Sequence, residues 1–413
     1  MEIINEIDNI HNKMVDLIDD CKNAIYWFSF NLDITYNTKI YNSITNALHR
    51  NIKIYIITSG INPYTINIKH PNLFVKNQIQ IGDKYDDICL NCKKLFNLNV
   101  GVYNDYFFVN HLRFIYNGTK LLLGGCNSSS RYNGSHFNII KNNNFTWYEH
   151  GILLDLPNQN DYFFNLFSNI NFGCKYVKSD DLIVNKDATI TLSNTKQYEY
   201  ILNCIKNSKN EIYIENQYFM SNEKYTNNLI CKALIDRINT AIVNNEDFRL
   251  TMIISYYNYD ENETVQDGMN TITQESLIYL RNGVNCDYIT FNKYVTIYIP
   301  IDKSKIVVHS KVFLFDDSKL LYSTCNICDR SFYKYGDTEM GFINENEYEV
   351  KKVKMLLQNN LYSSKHFCKF NFVFDTFKLL THEMLITILN KLAMYHKSQS
   401  FLHLCSLKLP LDH

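Results

Sequence analysis

No excess of basic residues marks this chain. Its 413 residues hold 41 Lys and Arg against 42 Asp and Glu, a formal net charge of −1. Strong nonspecific nucleic-acid binding usually shows as a basic surplus, so the balance disfavours that class while leaving room for a local patch. Also missing is an apolar run of about 18 residues, the length a membrane-spanning helix needs. The opening Met1-Glu2-Ile3-Ile4-Asn5-Glu6-Ile7-Asp8 has no secretory signal pattern. These absences predict a cytoplasmic protein, soluble or peripheral on membranes, whose 12 cysteines are reduced thiols. Two CxxC spacings occur, Cys89-Leu90-Asn91-Cys92 and Cys325-Asn326-Ile327-Cys328. No paired His/Cys cluster accompanies either, so no metal or other cofactor is expected.

What is present is a segment with phosphate chemistry. In Val308-His309-Ser310-Lys311-Val312-Phe313-Leu314-Phe315-Asp316, an apolar run reads as a buried strand with polar residues near its mouth. Residues two apart on a strand share a face, which sets the His309 imidazole beside the Lys311 ammonium. Lysine can hold a phosphoryl oxygen as a point charge; histidine can attack phosphorus or carry a proton. Asp316 closes the motif, with a turn-fixing role expected of it.

The segment has a partner in Val109-Asn110-His111-Leu112-Arg113-Phe114-Ile115-Tyr116-Asn117-Gly118. Downstream, Lys120-Leu121-Leu122 meets Lys319-Leu320-Leu321, Cys126-Asn127 meets Cys325-Asn326, and Arg131 meets Arg330. The interval from His111 to Asn127 is one residue shorter than that from His309 to Asn326, a loss assigned to the turn. Trp147-Tyr148-Glu149-His150-Gly151 likewise matches Asp337-Thr338-Glu339-Met340-Gly341. Two copies of one design imply half-sites facing each other across a pseudo-twofold, gripping one phosphate from both sides. Glu149 and Glu339 are read as orienting the imidazole of the same copy, as carboxylates do in catalytic triads. Asn127 and Asn326, with Arg113 and Lys311, are read as phosphate donors. Arg131, Arg330 and His150 are read as structural.

These motifs resemble the phospholipase D superfamily, whose members carry His-x-Lys followed four residues later by Asp, twice. The second copy fits in full, and Cys325-Asn326-Ile327-Cys328-Asp329-Arg330-Ser331 is similar to a signature of that family. Ile214-Glu215-Asn216-Gln217-Tyr218-Phe219 is similar to a strand of its phospholipid-cleaving branch. The first copy departs: Arg113 replaces the lysine, and Asn117 or Gly118 stands where aspartate would be. The resemblance covers roughly residues 15 to 365 and implies a two-step displacement without metal, through a phosphohistidine. It assigns His111 as nucleophile and His309 as acid. The abundance of Asn, Ile, Lys and Tyr over Ala, Gly and Pro looks like an AT-rich genome. Large cytoplasmic DNA viruses, whose poxviral members carry phospholipase-D-like envelope proteins, are one candidate source.

With 46% hydrophobic residues the chain can bury two ordinary cores. Helix and strand alternate in the same order twice, which predicts two similar α/β domains, each a mixed sheet flanked by helices. The expected division is 1–182, 183–368 and a C-terminal helical extension over 369–413, with the boundary in the polar stretch Ser179 to Lys186. The tail has helical spacing at Phe377, Leu380, Met384, Ile388 and Leu392. Cys174 is a candidate acylation site. Three functions are compatible with these residues: a phosphodiesterase acting on phospholipid head groups, a DNA nuclease of the same superfamily, and a catalytically weak membrane-remodelling protein of viral envelope type.

Overall fold

The computed structural model describes residues 1–5, 7–29, 32, 37–58, 68–77, 79–81, 107–109, 111–124, 146–169, 181–255, 264–301, 306–332, 337–364 and 366–370. Asn127, Arg131, Cys89, Cys92, Cys174 and the tail from residue 371 lie outside them.

The strands form two large mixed sheets. The first runs in the order Glu2–Asn5, His150–Asp155, Lys120–Gly124, Phe114–Tyr116, Ala24–Ser29, Lys53–Thr58, Leu73–Asn77. The second runs Leu182–Asn185, Ala188–Thr191, Gly341–Asn344, Lys319–Ser323, Val312–Phe315, Glu211–Asn216, Arg249–Ile254, Val295–Pro300, Phe367–Lys369. Without its two outermost strands, the second sheet matches the first position for position. Ala24–Ser29 lies parallel to Lys53–Thr58 and antiparallel to Phe114–Tyr116. Glu211–Asn216 has the same relations with Arg249–Ile254 and Val312–Phe315.

Side-chain alternation explains how the sheets are covered. Ile25 and Trp27 pack outward with Ile10, Met14 and Leu17 of helix Ile7–Asp19 and Ile40 and Ile44 of helix Thr38–His49. Ile212 and Ile214 pack outward with Ile201 of helix Asn194–Asn207 and Leu234 and Ile238 of helix Ile230–Val243. The alternate residues, Tyr26, Phe28 and Tyr213, enter one inner core that both halves share. Helices Asn160–Asn169 and Glu347–Ser363 fill that core with Phe163, Leu166, Val350, Val353 and Leu357. Each such fully buried side chain contributes roughly 2 kcal/mol, so parting the halves would forfeit many of them at once.

The strand pattern departs from the sequence reading at three places. Part of the polar stretch expected as a boundary is strand Leu182–Asn185, in a hairpin with Ala188–Thr191. Helices Thr264–Gly283 and Tyr288–Tyr294 and strand Val295–Pro300 went unnamed, since polar Asn, Thr and Gln interrupt their periodicity. The stretch Ile214–Phe219, read above as similar to a strand, is strand only as far as Asn216, whose side-chain oxygen accepts from Tyr218 N (3.3 Å) and Ile327 N (3.0 Å).

The hairpin registers locate the one-residue difference between the copies. Phe315 pairs with Lys319 around three turn residues, of which Asp316 is left-handed at φ 52°. In the first copy Asn117 N donates to Lys120 O, leaving a two-residue turn with Gly118 at φ 95°. Glycine adopts that conformation without steric cost. Asp316, which closes the second motif, stands five residues beyond Lys311, roughly 16 Å along the strand and so away from the site. Its carboxylate instead accepts from the backbone amides of Lys209, Asn210 and Glu211 at 2.8 to 3.1 Å. Asn117 makes the equivalent tie with reversed polarity, donating Nδ2 to Leu17 O (3.1 Å) near the end of the matching helix. Its Oδ1 accepts from Thr119 N and Lys120 N. The missing aspartate is thus replaced in its structural role. Asp316→Ala should cost about 2 kcal/mol of stability, read as a lower melting temperature, without weakening anion binding at Lys311. An equal loss of anion affinity would place Asp316 in the site after all.

Candidate active site

The two motif histidines lie where the sheets meet, and each is fixed at two points by the opposite half. His111 N donates to Thr338 O (2.9 Å), and His111 Nδ1 lies 2.8 Å from Glu339 Oε2. His309 N donates to Tyr148 O (2.9 Å), and His309 Nδ1 lies 2.5 Å from Glu149 Oε2. Strand Ile306–Val308 extends this contact by pairing in parallel with Thr146–Tyr148. The carboxylates were expected to serve the histidine of their own copy; the arrangement is crossed. The reason lies in strand order. Within one half, the strand after the glutamate and the strand after the histidine flank a third, Lys120–Gly124 or Lys319–Ser323. That separation is roughly 10 Å, too far for a hydrogen bond, whereas the pseudo-twofold brings the other half's glutamate into contact.

Proton positions follow from the donors. Arg113 Nη2 lies 2.7 Å from His111 Nε2, and a guanidinium only donates, so that nitrogen must present its lone pair. The ring proton then sits at Nδ1, toward Glu339. Burial, and next the Arg113 charge, hold His111 well below the usual histidine range. Burial likewise pushes Glu339 up to about 8, against the pull of the Ser331 and Thr324 hydroxyls, so the pair shares one proton. Those hydroxyls donate to Glu339 at 2.6 and 2.5 Å. Burial raises Glu149 as well. Lys311 is pulled down to about 7, by burial first and the nearby Arg113 charge second. Its Nζ donates to His309 O and, at 3.3 Å, to Gln217 Oε1.

The structure therefore brings together His111, Arg113, His309, Lys311, Glu149 and Glu339, all buried. Asn326 is buried alongside; its backbone N donates to Ser331 Oγ, and its Oδ1 has no hydrogen-bond partner among the described residues. The orphaned atom is an acceptor, which a hydroxyl can satisfy and a phosphoryl oxygen cannot; the amide group that donates to an oxyanion is Nδ2. Arg330 forms a buried two-point ion pair with Asp337. Trp147 sets its ring edge-on to His309 at 4.9 Å. Gln217, Thr324 and Ser331 were not singled out from the sequence, although Gln217 and Ser331 fall inside stretches quoted there and Thr324 stands beside one. Among the described residues no group of three or more His, Cys, Asp and Glu could hold a metal ion, and no helix is long and apolar enough to cross a membrane.

Known proteins resemble this chain in part of its sequence and in its fold. Phospholipase D B of Dictyostelium discoideum is 30% identical over 168 residues, which is 35% of this chain and 14% of that protein. Phospholipase D zeta 2 of Arabidopsis thaliana is 32% identical over 173 residues, 36% of this chain and 16% of that protein. Human phospholipase D1 is 27% identical over 173 residues, 36% of this chain and 16% of that protein. The matched regions are thus a small part of those relatives. In three dimensions the phosphatidylserine synthase of Haemophilus influenzae superposes over 96% of this chain and 93% of its own, with a TM-score of 0.55 at 10% identity. In sequence over about a third of its length, and in fold, the chain is similar to the phospholipase D superfamily. No family model matches it.

A lysine that titrates near neutrality makes anion binding depend on pH. Below about 7 the Lys311 ammonium is charged and attracts an oxyanion; above it the charge is lost. Tungstate affinity, measured by calorimetry, should fall by up to about tenfold per pH unit above 7, and Lys311→Arg should keep it to pH 9. An affinity flat from pH 6 to 9 in the unaltered protein would remove Lys311 from the anion site.

Proposed function

We propose that this protein is a phosphodiesterase of the phospholipase D type, which hydrolyses or transfers phospholipid head groups at a membrane surface. The carrying observation is the lone pair of His111 Nε2, held by Arg113 in the heart of a pseudo-twofold site that contains a second carboxylate-bound imidazole. A neutral imidazole with its Nδ1 proton bonded to a carboxylate is a competent nucleophile. An arriving phosphodiester offers Arg113 better acceptors in its phosphoryl oxygens and so frees Nε2.

In the first step Nε2 of His111 attacks phosphorus, the phosphorus–oxygen bond to the leaving alcohol breaks, and His309 gives its proton to that alkoxide. In the second step His309 takes a proton from water, or from an acceptor alcohol, as the oxygen attacks phosphorus. The phosphorus–nitrogen bond then breaks and returns the electron pair to His111. Arg113, Lys311 and Asn326 lie where charge grows on the phosphoryl oxygens, and Asn127 is assigned with them from the motif match. Glu339 and Glu149 hold the two rings in the tautomers that each step needs. Support for a lipid substrate comes from the near-zero net charge, the Ile214–Phe219 stretch and the names of the matched relatives.

Purified protein offered labelled phosphatidylcholine vesicles, single-stranded DNA and a simple alkyl phosphodiester should cleave the lipid, and should do so equally in excess EDTA. Cleavage of DNA alone, or activity lost to chelator and restored by zinc or magnesium, would overturn this reading. His111→Ala and His309→Ala should each reduce alkyl ester cleavage to the same background, because an attacking group without its acid is nearly as ineffective as none. With a p-nitrophenyl ester, whose leaving group needs no proton, His309→Ala should still release one burst of nitrophenol and His111→Ala none. A burst from His111→Ala would reverse the assignment.

A further inference from the structure

A second buried carboxylate lies behind the site. Glu215, on strand Glu211–Asn216, is wholly inaccessible to solvent, yet it touches neither motif histidine in the described contacts. Its Oε1 accepts from Tyr213 Oη (2.5 Å) and Tyr148 Oη (3.4 Å), and its Oε2 accepts from Ser310 Oγ (2.6 Å). His150 Nε2 stands 3.2 Å from Oε2, at ion-pair distance though outside hydrogen-bond geometry. The other nitrogen of that ring, Nδ1, lies 2.8 Å from Asn5 Oδ1. Burial alone would raise this carboxyl, but His150, Ser310 and Tyr213 together hold it below the usual carboxylate range.

The positions of these partners along the chain carry the argument. Tyr148 and His150 are the two neighbours of Glu149. Ser310 is the residue between His309 and Lys311. A single carboxylate therefore fastens both flanks of the glutamate and the middle of the histidine-lysine pair, one segment from each half. The backbone repeats the theme, since Tyr148 O accepts from both His309 N and Ser310 N. Among the described residues no carboxylate takes the matching place in the first half: Phe28 occupies the place of Glu215 in the first sheet, opposite Phe114 as Glu215 is opposite Val312. The two dyads are symmetric where they meet and unlike in what supports them.

We infer that Glu215 is the positioning residue of the Glu149–His309 dyad, fixing through Tyr148, His150 and Ser310 the two chain segments that must stay in register for His309 to move its proton. A displaced ring costs turnover steeply, because about 1 Å of misplacement can cost about a hundredfold. The dyad at His111 does not depend on Glu215. This inference deepens the phosphodiesterase reading and rests on it for its kinetic arm only.

The test uses the full chain with histidine side chains labelled by 15N. The hydrogen-bonded Nδ1 protons of His111 and His309 should appear as two separate downfield resonances, assigned by their loss in Glu339→Gln and Glu149→Gln. In Glu215→Gln the His309 resonance should move upfield or broaden while that of His111 stays. Turnover of the alkyl ester should fall between about 10-fold and 100-fold with KM within about twofold of the unaltered protein. Ser310→Ala, which removes one tie and no charge, should shift the same resonance and lower turnover by about tenfold, and it decides the matter if Glu215→Gln does not fold. If the variant only melts earlier, with both resonances and the turnover per folded molecule unchanged, Glu215 is a stability element and the inference is overturned. Should the unaltered protein cleave no ester at all, the function assigned above fails, and the His309 resonance alone still decides the role of Glu215.

Discussion

Everything about this site depends on the exchange of hydrogen bonds across the pseudo-twofold. Each motif histidine receives its orientation from the half to which it does not belong, through a backbone carbonyl and a carboxylate one residue apart. Two contacts per ring fix position and tautomer together, which a lone carboxylate could not do. The shared inner core supplies the apolar support that keeps these contacts closed. It also keeps them dry, which accounts for the shifted titration of Glu339, Lys311 and His111.

Duplication was legible in the sequence because chemistry-bearing residues recur at fixed offsets from strands that read clearly as apolar runs. The crossing was not, since periodicity tells which residues share a strand face but says nothing about the strand that intervenes between two others. Asp316 illustrates a different limit. Its place in the motif ties it to His309 and Lys311, yet strand rise carries it to the opposite end of the sheet, where it gathers three amides instead. Gln217 and Glu215 stood in plain view inside a recognised stretch, but their roles depend on contacts with residues about 94 and 67 positions away in the chain, which local reading cannot supply. Helices Thr264–Gly283 and Tyr288–Tyr294 were missed because polar Asn, Thr and Gln interrupt their apolar pattern.

The first motif, imperfect by comparison, is compensated where it departs. Asn117 replaces an acceptor with a donor and finds a helix-end carbonyl in place of loop amides. Gly118 allows a turn one residue shorter. Arg113 keeps a positive charge and adds a fork that reaches the ring of its own histidine, where the Lys311 ammonium reaches only the backbone carbonyl of His309. The two copies have therefore diverged in the means by which they hold the same geometry, and asymmetry between the histidines follows from it: one ring is engaged by a guanidinium, the other is braced from behind by Glu215.

Closing the site joins residues 228 positions apart at His111 and Glu339, and 160 apart at Glu149 and His309. Contacts of such sequence separation form late in folding, after the closure entropy of a long loop has been overcome. During synthesis the first half emerges with His111 and Glu149 complete but lacking both of their counterparts. A nascent chain therefore holds neither histidine–glutamate pair until the second copy has left the ribosome and docked. Topology alone thus withholds both carboxylate-held imidazoles until the second copy has been made and has folded onto the first.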